Sequence, residues 1–158
     1  MSAAGIPAPL NPGIAEAVKD MIARGLIALA VAFTNIGTSI ITNRIIQAGT
    51  APKWIGWGVG TNAAAVGDTT LQTESAPTTA GGRTNGTESR TTITNASDNY
   101  QVAGVVTAGS TLSITEAGIF DAASTGNLLI RAVFSIISVV SGDSISFTFG
   151  LKFVPNVV

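Results

Sequence analysis

The chain has 158 residues, no His, no Cys, and only 8 basic and 9 acidic side chains. Charged residues are 11% of the total, against about 25% in an average soluble protein. The absence of Cys excludes disulfides, thiol catalysis and Cys-based metal sites, and a net charge of −1 provides no basic field to recruit nucleic acid or an anionic membrane surface. With 46% hydrophobic residues and so thin a charged coat, part of the apolar surface is expected to meet another protein. The length suits one core with an arm.

In chain order, residues 1–10 (Met-Ser-Ala-Ala-Gly-Ile-Pro-Ala-Pro-Leu) are rich in Pro and Ala and read as an extended arm. Asn11-Pro12 is a helix start, with Asn at the cap and Pro at the first helical position. Ile14, Val18, Met21 and Ile22 follow at helical spacing, and Gly25 is a stop. The spacing predicts a short amphipathic helix over 12–24. Gly25–Phe33 is an apolar run much shorter than the ~20 residues of a membrane-spanning helix. Glu16 and Asp20 upstream argue against a secretory leader, although Ala30-Val-Ala32 mimics its cleavage site. Residues 26–33 and 38–47 are apolar runs in which Ile36, Ile40, Ile41, Ile45 and Ile46 favour strand over helix, because branching at Cβ suits a pleated surface.

Lys53-Trp-Ile-Gly-Trp-Gly-Val-Gly60 reads as a strand whose glycines mark a close backbone approach or a bulge. Trp54 and Trp57 project on opposite faces, one to the core and one to an interface; Trp57 is assigned to the interface. Thr69–Ser97 carries 13 Ser or Thr in 29 residues, which predicts a long surface loop with Asn85-Gly86 as a type I′ hairpin tip, leading into a strand at 88–96. Further strands are expected at 99–109, 111–120, 127–140 and 143–154, separated by turn residues. In the last of them Ile145, Phe147, Phe149, Leu151 and Phe153 share one face. The whole predicts a mainly β fold, an antiparallel β-sandwich or jelly roll (36–158), preceded by an N-terminal extended arm and short helix (1–35).

Motifs for chemistry are sparse. Gly56-Trp-Gly-Val-Gly60 has the wrong spacing for a dinucleotide loop. Paired carboxylates could serve a glycosidase, but nine aromatics are few for a sugar site. Asp98, Asp121 and Asp143 sit beside turns and read as caps. Asn85-Gly-Thr87 matches a glycosylation acceptor, a pattern common by chance. No residue is assigned to catalysis, a cofactor or a metal. Glu116 and Arg131 each interrupt an apolar strand, where an unpaired charge is costly. They are expected to pair with each other, or one of them with Arg83 or Glu74.

The run Ile45–Thr61, then Gly67-Asp-Thr-Thr-Leu71 and Glu74, resembles small virion proteins of tailed bacteriophages. So do Ile114-Thr-Glu-Ala-Gly-Ile-Phe-Asp-Ala122, Gly126–Phe134 and Ser141–Phe147. The resemblance spans roughly residues 40–150 and implies a jelly-roll or sandwich protein of the virion, one that decorates or cements capsids; related segments occur in tail and baseplate components. It implies a non-enzymatic capsid decoration protein on the outer capsid surface, made in the bacterial host cytoplasm. The major capsid protein and copies of itself are the expected partners, a trimer first and a dimer second, with no nucleic acid and no membrane. The expected contacts with a neighbour are Ile6, Pro7 and Leu10 of the arm, Ile14, Val18, Met21 and Ile22 of the helix, and Trp57. The alternatives are a tail, baseplate or fibre-attachment protein and, further off, a carbohydrate-binding module.

Overall fold

The computed structural model of the chain describes residues 30–75 and 82–155. The arm, the helix expected over 12–24 and the contact residues Ile6, Pro7, Leu10, Ile14, Val18, Met21 and Ile22 lie outside the described residues. The elements in chain order are β1 (Ala30–Phe33), α1 (Asn35–Ile45), β2 (Trp54–Gly58), β3 (Glu74–Ser75), β4 (Thr84–Asn85), β5 (Thr87–Thr91), β6 (Asn99–Thr107), β7 (Leu112–Phe120), β8 (Leu128–Val139) and β9 (Ser144–Lys152). The fold is mainly β and antiparallel throughout. A six-stranded sheet runs β1-β8-β7-β2-β3 with β4 also on β2, and a three-stranded sheet runs β5-β6-β9. These orders establish a sandwich; they do not establish the finer jelly-roll pattern.

Alternation explains why the two sheets close on one another. Ile55 and Trp57 of β2, Ala117 and Ile119 of β7, and Ala132 and Phe134 of β8 meet Val102 and Val106 of β6 and Ile145, Phe147 and Phe149 of β9 in one core. Phe147 is the hub, edge-on to Trp57 at 6.4 Å, tilted against Phe134 at 6.3 Å and stacked on Phe149 at 6.0 Å. Such aromatic pairs add about 0.5–1.5 kcal/mol each beyond the area they bury. The four long strands β6 to β9 stand where the alternation of the sequence puts them.

Four expectations are corrected. First, Asn35–Ile45 is a helix, not a strand. Thr34 caps it: its Oγ1 accepts the Gly37 N–H at 3.0 Å and donates to the Leu128 carbonyl, while the Thr34 N–H donates to Leu129 O at 3.1 Å. Gly37 and Ile40 form the buried side of the helix, and a cap with a packed side overrides the weak strand preference of isoleucine. Second, Ala30–Phe33, expected to lie with the arm before residue 36, belong to the sandwich, because β1 pairs with β8 from Ala30↔Val133 to Phe33↔Ile130. Third, Asn85-Gly86 is no hairpin tip. β4 pairs with β2 and β5 with β6, so the chain changes sheets at Gly86. Its N–H donates to Lys53 O at 2.8 Å, and a Cβ there would lie 2.7 Å from Val102 Cγ1 and 2.9 Å from Lys53 O. Fourth, the strand expected at 88–96 ends at Thr91, because the Asp98 carboxylate gathers the N–H groups of Ile93, Thr94 and Asn95 into a turn.

Candidate functional site

Five charged residues, Asp68, Glu74, Arg83, Glu116 and Arg131, gather on the face of the six-stranded sheet turned away from the sandwich core. The alternation of β7 changes phase there: its register slips between Ile114 and Glu116. Ile114 lies in the core, while Thr115 and Glu116 both turn to the other face, the geometry of a β-bulge. Thr115 donates to Gly60 O at 2.8 Å. The Glu116 carboxylate accepts four bonds, from the N–H groups of Gly60 at 3.1 Å, Gln72 at 3.0 Å and Thr73 at 2.7 Å and from Arg131 Nε at 2.8 Å.

Arg131 completes the cluster. It lies beside Glu116 because Gly118, two residues further along β7, is its Cα partner. Its remaining nitrogens donate to Asp68 Oδ2 at 2.8 Å, Asn62 O at 3.1 Å and Ala63 O at 3.4 Å. Glu116 is fully buried and Arg131 nearly so. Burial opposes charge on Arg131, but its bonds to Asp68 and Glu116 outweigh burial and raise its pKa further above the ordinary value. Burial likewise opposes ionisation of Asp68, and the Ala65 N–H together with Arg131 outweighs it, holding that carboxyl below its ordinary value of 3.8. Loop 59–73 is thereby bolted to the sheet from three sides.

The glycines at the end of β2 and just beyond it are the other half of this fit. A Cβ on Gly58 would stand 2.3 Å from Thr73 O and 2.6 Å from Glu116 Oε1, and one on Gly60 would stand 2.5 Å from the same carboxylate oxygen. The motif Gly56-Trp-Gly-Val-Gly60 is therefore the bare track on which the clasp lies, the close approach expected of it.

A second fastener lies beside the first. Arg83 grips Glu74 with two parallel bonds, Nε to Oε1 at 2.7 Å and Nη2 to Oε2 at 2.9 Å. Its guanidinium stacks 3.2 Å from the centre of the Phe120 ring, and Nη1 donates to the carbonyls of Ala122, at 3.0 Å, and Thr125. Phe120 belongs to a small apolar cluster with Leu71 and Leu128, against which Trp54 packs. So Glu116 joins Arg131 while Arg83 and Glu74 join each other.

Trp57 is corrected as a contact residue: it is fully buried against Phe147 and offers no surface to a neighbour. Its assignment follows from parity. Trp54 and Trp57 do take opposite faces, but the sandwich core claims Trp57, and Trp54 stays partly exposed. Sequence reasoning missed Asp68 and the Arg83–Phe120 stack; the alternate glycines were the one signal that something charged or peptidic covers that face of β2.

Elsewhere a groove of about 550 Å³ runs between α1 and the three-stranded sheet. Ile41, Ile45, Pro52, Tyr100 and Phe153 form its apolar wall and Arg44, Glu88 and Arg90 its rim. Tyr100 points its hydroxyl at Pro52 O and Glu88 Oε2, both at 3.1 Å; burial, then the Glu88 charge, pushes its pKa up. Two further pockets lie by Glu74 and by Asp68. Each of the three contains one carboxylate, so none pairs two as a glycosidase would. Among the described residues no three His, Cys, Asp or Glu side chains are placed to hold a metal ion. Asp121 accepts from the Asn127 N–H and side-chain amide, and Asp143 from the Val140 N–H. With Asp98 they close turns.

No family model, curated protein or solved structure matches the chain.

Proposed function

We propose that this chain is a structural protein of a tailed-bacteriophage virion, a capsid decoration or cement protein that stabilises the shell through contacts between subunits. The observation that carries this reading is where the charges are used. Glu116, Arg131, Asp68, Arg83 and Glu74 bond to one another and to backbone, which fastens loops to the sheet and leaves no free acid–base pair among them. Large apolar side chains meanwhile stand at the surface, with Ile45 76% and Ile136 66% exposed. A rigid sandwich with internal fasteners and an apolar exterior suits repeated contact with a larger assembly, where many weak contacts add by avidity. The proposed partners are the major capsid protein and further copies of this chain, and the proposed location is the outer capsid surface.

The test is imaging of purified particles carrying a labelled full-length chain. Density or label in a surface lattice is the expected result. Label confined to axial rings or fibres would move the protein to the tail or baseplate, and recovery apart from particles would sink the reading. A carbohydrate-binding module is less favoured, because Trp57 is buried and Trp54, partly exposed, packs against the small cluster.

A further inference from the structure

We infer that β9 is a self-pairing edge, through which two copies of this chain join their three-stranded sheets into one sheet of six. The inference rests on the strand itself, not on the virion reading, and its failure would leave that reading standing.

Among the described residues, β9 pairs with β6 on one side and with no strand on the other. Its nine residues keep an unbroken register with β6, from Asn99↔Lys152 to Thr107↔Ser144, without a bulge. The direction of its free groups can be read from the strand ends. The Phe153 N–H donates to Asp98 O, and the Ala108 N–H donates to Asp143 O. Odd-numbered residues of this strand thus bond toward β6. By the alternation of antiparallel ladders, the N–H and C=O groups of Ser144, Ser146, Thr148, Gly150 and Lys152 point to the open side.

Natural sheets guard such an edge with charge, proline, bulges or shortness. The opposite edge of this sheet is guarded: β5 has five residues and carries Glu88 and Arg90. β9 has no proline and no bulge, and its one charge, Lys152, is its last residue. The small side chains of its outer face (Ser, Ser, Thr, Gly) also leave the backbone approachable.

The occupant that fits is a second β9, antiparallel, about a two-fold axis at Thr148. That register overlaps all nine residues and sets Ser144 opposite Lys152, Ser146 opposite Gly150 and Thr148 opposite itself. On the core side it sets Phe147 opposite Phe149 and Ile145 opposite Leu151, so apolar meets apolar and polar meets polar. The two lysines fall at opposite ends, so no like charges face each other, a pairing that would destabilise a sheet. About ten N–H···O bonds would form by the ladder rule. A two-fold contact of this kind makes a dimer and not a trimer.

The test uses the full chain in solution. Sedimentation is expected to give twice the 15.9 kDa chain mass for the parent protein. Thr148→Lys sets two ammonium groups against each other on the axis and should give the single-chain mass with an unchanged circular dichroism spectrum; Ser89→Lys on β5 should stay dimeric. Because the chain has no cysteine, Thr148→Cys supplies a second readout independent of folding losses. Paired residues of this type stand about 5.5 Å apart at Cα, within disulfide reach, so oxidation should give a covalent dimer far faster than for Ser89→Cys. A monomeric or trimeric parent, a Thr148→Lys protein that remains dimeric, or equal cross-linking of the two cysteine variants would each overturn the inference.

Discussion

A carboxylate in the middle of an apolar strand survives because four donors converge on it. Glu116 takes three backbone N–H groups and one guanidinium, and a buried charge so satisfied costs far less than a bare one. Removing it leaves Arg131 buried with Asp68 as its remaining acid partner and strips the bonds that hold three loop amides. Glu116→Ala is therefore expected to cost about 3–5 kcal/mol, the range for breaking a buried ion pair, read as a fall in the urea midpoint with little change in slope. A loss below about 1 kcal/mol, the worth of a surface pair, would show that the clasp adds little to stability. The pairing was legible in the sequence because a lone charge among Ile, Ala and Phe needs a partner, and Arg131 is the matching exception in the next strand. The role of Asp68 was not legible, since nothing local distinguishes an acid that caps Ala65 from one that also reaches across the sheet.

At the scale of elements, turns fix where strands stop. Asp98 ends the β5 region by accepting from Ile93, Thr94 and Asn95. The Asn95 and Ile93 N–H groups, helped by those of Thr94 and the nearby Lys152, draw its pKa from 3.8 down to about 2. The folded value lies below the unfolded one, so the stabilisation is present above the unfolded pKa and disappears as pH falls through the folded one. Stability should therefore decline between about pH 4 and pH 2, and Asp98→Asn should flatten that decline; identical acid profiles for the two proteins would refute the assignment. Strands β6 and β9 were readable because each buries one face, and β7 and β8, buried on both faces over Thr115–Phe120 and Leu128–Ala132, because each is an apolar run bounded by turn residues. Asn35–Ile45 was misread because isoleucine spacing alone does not reveal that Thr34 caps a helix and that Leu128 and Leu129 hold the cap. The crossing at Gly86 was misread for a related reason: Asn-Gly favours a tight turn locally, while the partners of the flanking strands are set by contacts far away in sequence.

At the scale of the molecule, the described residues form a sandwich that already includes Ala30–Phe33, paired along β8. Deletion of residues 1–24 is accordingly expected to leave the cooperative melt in place and to abolish attachment to particles; full occupancy of the truncated chain on particles would refute the attachment role of that segment. The general architecture was legible in composition and alternation, whereas the use of charge as a fastener emerged only when distant segments were seen together. Those distances also impose an order of assembly. Glu116 and Arg131 are 15 residues apart and meet as soon as the β7–β8 hairpin closes. The amides that Glu116 holds are 43 to 56 residues from it. Closing so long a loop costs more entropy than closing a hairpin, and contacts of such separation slow folding. The buried pair is thus expected to close before the loop it grips arrives, so that loop 59–73 docks onto a charge that is already waiting.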